Sequence, residues 1–439
     1  MSKKFAFVAT AILSSCLVAE SAQAPTLQIN GFTAMVAGGA SQQNNLNGKG
    51  GGPHLAIGAS NIFFTAKGKS ADGLQYKYRG AMESYPGGKS TSGSPIYFTQ
   101  NYIEFLHDSW GIFQVGNLTG PEDTMTESGF NLLGGALTID GTFPNMVNTS
   151  EGVISGVQMY GQTSKATKMV YYTPTFAGFQ VGLAFTPNTT RYGMASLDNS
   201  GASPDNTYGH ESGIYPSKGT APYGMNNVSL GVNYKADFKT WNMALAAIYI
   251  QENTKRGSPK WGEENVSGAY DDSQLEFLKI KSVRSARSNQ FTAAVGFDQW
   301  RFASGLILNG QSRLPKTNTY GYRSGDAGKA WNVAGQYTVG AYQFAVGYFT
   351  TSRTLPKLPG TANYGAVNGK AKSDVVSATI DFNALQGLKF FGEVDLFKMS
   401  TDKSYAKFVG TTKKYKNDSK AVTPSNSGAA VVVGTKLSF

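Results

Sequence analysis

Cysteine is almost absent from this chain, and the one present lies in a segment with the features of a secretory signal peptide. Residues 1–24 contain two lysines, then an apolar stretch that includes Cys16, and end in Ala22-Gln23-Ala24, the small-residue pattern of a cleavage site. We therefore predict a signal peptide at 1–24 and a mature chain at 25–439. The mature chain has no cysteine, which excludes stabilisation by disulfide bonds although the protein is exported.

Long apolar runs are also missing after residue 24. The longest, Met243–Ile250, has eight residues, whereas a membrane-spanning helix needs about 18 or more. A transmembrane helix is therefore not expected, but a membrane barrel is compatible, because only every second residue of its strands must be apolar. Glycine is abundant at 53 residues and charged residues are scarce at 15%, a composition that favours strands and turns over helices.

Groups that could carry enzymatic chemistry are few. The three histidines, His54, His107 and His210, have no acidic or cysteine neighbours at the spacing of metal ligands. The chain also lacks a nucleophile elbow, a zinc-protease motif and a phosphate-binding glycine loop. We therefore expect a protein that is not an enzyme and that uses no metal or other cofactor.

Basic residues outnumber acidic ones. Removing Lys3, Lys4 and Glu20 with the signal peptide lowers the formal net charge from +11 to +10. Nucleic-acid-binding proteins cluster their lysines and arginines, but the densest cluster here, Lys413 to Lys420, lies in a polar stretch typical of a loop. We therefore expect no nucleic-acid partner, and expect the basic residues to meet anionic lipid headgroups or anionic solutes.

Alternation with period two is the dominant pattern that the chain does have. Segments of about ten residues place apolar and polar side chains on opposite faces, as strands with one apolar face do. The segment Leu388–Leu396 (LKFFGEVDL) is one example. In the last strand, Val431, Val433, Leu437 and the terminal Phe439 share one face. An apolar face that ends in an aromatic residue is typical of the aromatic girdle of a membrane barrel.

The connections between these segments alternate strictly between short and long. Tight turns are predicted near residues 71–73, 109–111, 176–178, 237–239, 298–300, 339–341 and 385–387. Long polar stretches are predicted near residues 44–53, 86–95, 119–166, 187–224, 251–286, 309–327, 351–372 and 400–427. Seven tight turns and eight long loops join sixteen strands and place both termini on the tight-turn side.

Such sidedness is typical of outer-membrane barrels, which have short periplasmic turns and long outer loops. Soluble β proteins such as lectins and adhesins do not show it. In hydrocarbon, each unpaired backbone group of a strand edge costs several kcal/mol, so that the sheet must close on itself. We therefore predict an all-β fold, a closed antiparallel transmembrane β-barrel over residues 25–439, most simply with sixteen strands. An additional hairpin at Leu275–Ile280 would make eighteen.

Four segments resemble the general porins of Gram-negative bacteria. They are Tyr171–Leu183 (YYTPTFAGFQVGL), Leu27–Phe32 (LQINGF), Glu104–Asn117 (EFLHDSWGIFQVGN) and Gly434–Phe439 (GTKLSF). Two are similar to hairpins of that family, and the others to its first and closing strands. The chain departs at Asn117, where the family usually carries an arginine, so that one arginine of the family's constriction is not carried over.

The resemblance implies a water-filled outer-membrane channel for passive diffusion of ions and small hydrophilic solutes. It also implies a homotrimer latched by the second loop, Pro86–Pro95, with both termini in the periplasm and with contacts to the lipid bilayer and to lipopolysaccharide. In this family the third outer loop folds into the barrel, and the terminal aromatic residue, here Phe439, is an assembly signal. An alternative is a surface-exposed structural or adhesive barrel without general pore function.

The third loop has an unusual charge pattern, because residues 118–164 include acids but no lysine or arginine. We expect its acids to face basic residues of the opposite wall, namely Lys77 and Arg79 by strand parity, together with Lys67 and Lys168. Opposed charges across a wet gap orient dipolar solutes, and rings of charge set ion preference. The predicted pore constriction comprises Lys67, Lys77, Arg79, Lys168, Glu122, Asp123, Glu127 and Asp140. The basic excess favours anions.

Overall fold

The computed structural model describes residues 25–43, 53–84, 96–134, 146–147, 159–188, 223–255, 284–312, 325–358, 367–402 and 425–439. The signal peptide predicted for 1–24 lies outside the described residues. Across these ranges, no helix has both the length and the apolar character needed to cross a membrane.

The described residues form sixteen strands and two short helical turns. The strands are β1 (Thr26–Gln42), β2 (His54–Lys69), β3 (Gln75–Ser84), β4 (Ile96–His107), β5 (Gly111–Asn117), β6 (Thr167–Tyr172), β7 (Phe179–Asn188), β8 (Tyr223–Asp237), β9 (Trp241–Lys255), β10 (Arg287–Phe297), β11 (Trp300–Leu308), β12 (Lys329–Val339), β13 (Tyr342–Leu358), β14 (Val367–Leu385), β15 (Leu388–Thr401) and β16 (Ser425–Ser438). The helical turns are α1 (Pro121–Thr124) and a 3₁₀ turn (Gly129–Leu132).

The sheet closes because its first strand pairs with its last. Neighbouring strands follow sequence order, and β1 pairs antiparallel with β16 from Phe32 opposite Ser438 to Gln42 opposite Gly428. Phe439 extends this seam: its backbone N–H donates to the Gly31 carbonyl at 3.0 Å, and its own carbonyl accepts from the Gly31 N–H at 2.9 Å. The closed barrel predicted from the sequence is therefore confirmed.

The strand count is confirmed as sixteen. The seven tight turns lie where the sequence pattern predicts them. The eight longer connections correspond to the predicted stretches, but β13 extends to Leu358 and β14 begins at Val367, so that the connection predicted near 351–372 is shorter than expected. Strand β9 pairs directly with β10, so that the segment Leu275–Ile280, which lies outside the described residues, adds no hairpin to the wall.

The polarity of the two faces of the sheet is reversed relative to a soluble protein. On β15 the apolar side chains of Phe390, Val394 and Leu396 are exposed on the outer face, whereas Glu393 and Asp395 are only 2% and 1% exposed on the inner face. An outer face rich in apolar side chains around a polar interior is the arrangement of a barrel in lipid.

Aromatic rings also pair on the outer face beside the tight turns. Their ring centroids are 4.2 to 4.8 Å apart in four pairs, which are Phe179–Tyr234, Phe238–Trp241, Trp300–Tyr337 and Tyr342–Phe382. Aromatic side chains combine an apolar body with a polarisable face and therefore favour the boundary between hydrocarbon and water. These pairs form an aromatic girdle at the tight-turn end of the barrel.

We expect the purified protein to be heat-modifiable in SDS. The closed hydrogen-bond ladder offers no edge from which unfolding can begin, so that SDS at room temperature should leave the barrel folded and compact. Electrophoresis of boiled and unboiled samples measures this directly: the unboiled band should differ in mobility from the fully unfolded chain. Identical migration of the two samples would contradict the closed barrel.

Candidate functional site

The connection from β5 to β6, residues 118–166, lies along the inside of the barrel and is called the third loop here. Its α1 segment contacts β7, β8 and β9, and its 3₁₀ turn contacts β11, β12 and β13. Further on, the Gly134 N–H donates to Thr379 Oγ1 of β14 at 3.3 Å. Gln42 Nε2 of β1 donates to the Met146 carbonyl at 3.3 Å. The described part of the loop therefore follows the inner wall from β7 to β14, and Met146 lies beside β1.

Small residues on the inner wall make room for the loop. A Cβ atom added at Gly182 of β7 would lie 2.5 Å from Met125 Sδ, and one added at Gly231 of β8 would lie 2.9 Å from it. Leu132 of the 3₁₀ turn is buried in one cluster with alanines of β10, β11 and β12. The close approach of loop and wall thus depends on the absence of larger side chains.

Polar side chains of the wall hydrogen-bond to the backbone of the loop. The Gly129 N–H donates to Asn332 Oδ1 at 2.7 Å, and Gln336 Nε2 donates to the Leu132 carbonyl at 2.7 Å. The Glu127 N–H donates to Thr292 Oγ1 at 3.3 Å. Backbone groups that leave water need such partners, and these bonds fix the path of the loop.

A buried ion pair joins the start of the loop to β6, the strand that follows it. Lys168 Nζ lies 3.7 Å from Glu122 Oε1, and the two side chains are 0% and 1% exposed. Glu122 also accepts from Ser229 Oγ at 2.7 Å and from Thr163 Oγ1 at 3.3 Å, while Lys168 Nζ donates to the Ser164 carbonyl at 2.6 Å. A buried charge needs a partner and further hydrogen bonds, and this pair has both.

Two other acids of the loop remain accessible from the lumen. Glu127 Oε1 contacts Arg301 Nη2 of β11, and the two side chains keep 20% and 46% of their surface exposed. Asp123 is exposed and accepts from Gln162 Nε2 at 2.5 Å. The loop therefore presents negative charge to the lumen.

The facing wall presents positive charge. Lys77 Nζ of β3 lies 2.5 Å from Glu104 Oε1 of β4, and Lys67 of β2 lies directly opposite Lys77 in the strand register. The Arg79 guanidinium carbon stands 4.6 Å from the centroid of the Phe63 ring, a cation–π contact.

This basic surface continues across the closing seam. Lys436 Nζ of β16 lies 4.1 Å from the centroid of the Phe32 ring, and that ring is 6.2 Å from Phe63. Lys389 of β15 lies opposite Lys436 in the register and pairs with Asp381 Oδ2 at 2.7 Å. Cations from four strands, β15, β16, β2 and β3, thus border one side of the lumen near the tight-turn end, and β1 contributes the Phe32 ring between them.

A sequence profile of the Gram-negative porins matches residues 6–402 of the chain. The chain belongs to the Gram-negative porin family. Among solved structures it is similar to OmpT of Vibrio cholerae, in vitro folded and in a trimer form, with 10% identity over 95% of this chain and 100% of that one and a TM-score of 0.51.

A triple mutant of the Rhodopseudomonas blastica porin matches with 11% identity over 94% of this porin and 100% of that chain, with a TM-score of 0.48. A search of curated proteins gives no match.

The structure brings together some of the residues predicted for the constriction and separates others. Lys67, Lys77 and Arg79 lie on the wall of β2 and β3, and Asp123 and Glu127 lie on the third loop of the porin. Asp140 lies outside the described residues.

Glu122 and Lys168 differ from the expectation that they face each other across water. They are in contact and buried, because Lys168 lies on β6, beside the part of the wall against which the loop begins, and Glu122 packs against that same part of the wall. Their position is that of an anchor for the third loop.

Sequence reasoning missed the partners of these charges. Arg301 follows Trp300 and precedes Phe302, both exposed on the outer face, so that strand parity alone could have placed it inside. The same argument applies to Glu104, which follows the exposed Ile103. Ser229 and Thr163 carried no such signal, because their contacts with Glu122 depend on where the loop folds.

We expect Glu122→Ala to loosen the third loop. The change leaves Lys168 buried without its partner, at a cost of about 3–5 kcal/mol. The temperature at which the unboiled band converts to the unfolded band should fall, and single-channel currents in planar bilayers should become noisier. Asp123→Ala is the matched control, since Asp123 is its exposed neighbour, and it should leave that temperature nearly unchanged. Equal effects of the two variants would contradict the anchoring role.

Proposed function

We propose that this porin conducts ions and small hydrophilic solutes by passive diffusion through a lumen narrowed between the third loop and the wall of β2 and β3. The observation that carries the proposal is the position of the loop, whose described residues contact the inner face from β7 to β14 and make no ion pair with Lys67, Lys77 or Arg79. The alternative, a structural or adhesive barrel without a pore, is not favoured, because the chain belongs to a family of porins.

In this proposal, charges of opposite sign face each other across the gap. Asp123 and Glu127, with Asp140, supply the negative side, and Lys67, Lys77 and Arg79 supply the positive side. Glu122 and Lys168 hold the loop in place rather than line the gap. Glu104 neutralises part of the charge of Lys77, but Lys436 and Lys389 extend the basic surface. We therefore propose a preference for anions.

The proposal includes the location and assembly of the protein. A signal peptide at 1–24 exports the chain, and the barrel lies in the outer membrane with both termini in the periplasm and with its outer loops among lipopolysaccharide. Three copies form a homotrimer, with Pro86–Pro95, which lies outside the described residues, as the latch. The protein acts as a channel and carries out no enzymatic reaction. The family and the outward apolar face support this assignment.

Charge changes on the two sides of the gap should shift ion selectivity in opposite directions. Two unit charges about 8 Å apart at an effective dielectric constant of about 20 interact by roughly 2 kcal/mol, enough to change a permeability ratio about tenfold. Reversing Lys77 and Arg79 together, as Lys77→Glu with Arg79→Glu, should favour cations. Neutralising Asp123, Glu127 and Asp140 should favour anions. Reversal potentials in a salt gradient measure both effects.

Salt concentration and position provide the controls for this experiment. The shifts should be large at about 0.1 M salt, where the Debye length is about 10 Å, and small at about 1 M, where it is about 3 Å. Reversing two lysines of the outer face, Lys329 and Lys398, changes the net charge by the same amount and should leave the reversal potential unchanged. Unchanged potentials in both lumen variants would show that these residues do not border the narrow part.

Deleting Phe439 should reduce assembled barrel while export continues. The ring lies over Gly31, since a Cβ atom added there would be 2.8 Å from Phe439 Cζ, yet it is 64% exposed. Its burial thus contributes less than the roughly 1.5–3 kcal/mol of a fully buried aromatic side chain, too little to unfold a barrel. The heat-shifted band in outer-membrane fractions measures assembly, and Phe439→Tyr is the control that keeps the aromatic ring. A normal yield without Phe439 would mean that the residue only packs against the seam.

A further inference from the structure

The inner wall below the third loop contains a concavity that borders the constriction at Glu127. It has a volume of about 640 Å³ and lies on β8 to β12, between Glu127 of the loop and the tight turns that follow β8 and β10. Small-molecule sites in proteins commonly have volumes of about 300–1,000 Å³. The concavity is therefore large enough to hold a small solute at the side of the lumen.

One register row of the sheet borders this concavity. It contains one residue from each of five neighbouring strands, namely Asp237, Asn242, Gly296, Arg301 and Gln336. Gly296 has no side chain, and the Asn242 amide occupies the space beside it, since a Cβ atom there would come 2.8 Å from Asn242 Oδ1. The row thus presents two amides and two charges of opposite sign to the lumen.

The adjacent row, deeper in the barrel, forms the floor. Lys235 is followed there by Ala244, Ala294 and Ala303. Leu132 of the third loop packs against Ala294 and Ala303, so that the loop covers part of this row. Ala244 and Ala294 form a small apolar floor, and Lys235 adds a cation to the rim. The concavity therefore combines a shallow apolar floor with a charged border.

Acids and bases are balanced around the border. Its charged residues are three acids and three bases, namely Glu127, Asp237, Asp298, Lys235, Lys239 and Arg301. Lys235, Asp237 and Asp298 are exposed and make no ion pair with any other described residue. Arg301 contacts Glu127 through Nη2 and keeps 46% of its side-chain surface exposed, so that it still has donors for a solute.

We infer that this concavity is a binding subsite for small zwitterionic solutes of about dipeptide size. The inference rests on the channel function proposed above. Arg301 would receive the carboxylate of the solute, Asp237 its ammonium group, and the Asn242 amide, which lies between them in the row, its peptide group. A simple anion would be repelled by the two unpaired aspartates, and a simple cation by the lysine and arginine.

The spacing of the charges sets the size of the solute. Asp237 and Arg301 are separated by three strand intervals, or about 14 Å of backbone. Two extended residues span about 7 Å, and a hydrogen bond of about 3 Å at each end brings the total close to this separation. The aromatic residues at the edge, Trp241 and Trp300, pair with other rings on the outer face and offer no stacking surface inside.

Calorimetric titration of the purified, detergent-solubilised porin with glycylglycine tests the subsite. We expect saturable binding. N-acetylglycylglycine, which lacks the ammonium group, and glycylglycine amide, which lacks the carboxylate, should each bind about tenfold more weakly, because each loses one set of charged hydrogen bonds. Equal binding of all three compounds would overturn the assignment to zwitterions.

Two variants locate the binding. Lys235→Gln with Asp237→Asn keeps the net charge and should weaken glycylglycine binding by about tenfold or more. Gly296→Leu keeps every charge, displaces the Asn242 amide and should weaken it similarly. The control is Lys372→Gln with Asp374→Asn, which removes an ion pair of 2.9 Å on the outer face and should leave binding unchanged. The heat shift in SDS confirms that each variant is folded.

The outcomes separate the subsite from the channel. Wild-type affinity in both folded variants, or no saturable binding to the wild type, would overturn the subsite even if the porin conducts in planar bilayers. Saturable binding without conductance would overturn the proposed channel and leave the subsite standing. Binding that depends on Lys235, Asp237 and Gly296, together with a saturable reduction of single-channel conductance by glycylglycine, would support both.

Discussion

The requirement that every backbone hydrogen bond be satisfied inside the sheet determines the rest of this molecule. Hydrocarbon offers no alternative partner, and each orphan group there costs several kcal/mol. The sheet must therefore close, which β1 and β16 accomplish through a long antiparallel seam that ends in the reciprocal bonds of Gly31 and Phe439. Closure in turn gives every strand one lipid face and one lumen face, so that polar side chains are directed inwards.

The same constraint explains how much could be predicted from the sequence. An outer face in lipid forces apolar residues onto alternate positions, and this local signal located the strands, the turns and the count of sixteen. Strand parity also placed Lys77 and Arg79 on the inner wall. The contact of Glu122 with Lys168 could not be predicted, because it depends on the path of a loop across several strands. The pairing of Glu127 with Arg301 depends on the same path and on a strand register far along the chain.

The third loop and the wall behind it act as one unit. Glycines and alanines on β7 to β12 let the loop approach, and wall side chains such as Asn332 bond its backbone. Neither feature alone would hold the loop. Small residues provide space but do not fix the orientation of the loop, and isolated hydrogen bonds in a wet lumen contribute only about 0.5–1.5 kcal/mol each. The buried Glu122–Lys168 pair stabilises the loop further, because breaking this contact would leave a charge buried without a partner. The acids that remain exposed are thereby held at fixed positions in the lumen.

A subsite beside such a gap need not obstruct it. Conduction requires that a solute bind well enough to enter and weakly enough to leave. The concavity lies in the wall, and Lys235, Asp237 and Asp298 on its border are exposed to water, where Coulomb attraction between unit charges at about 4 Å falls to about 1 kcal/mol. Binding there therefore depends on matching several groups at once, so that a solute with both charges is retained briefly while simple ions pass. Water around the charged border thus makes a selective subsite compatible with rapid diffusion.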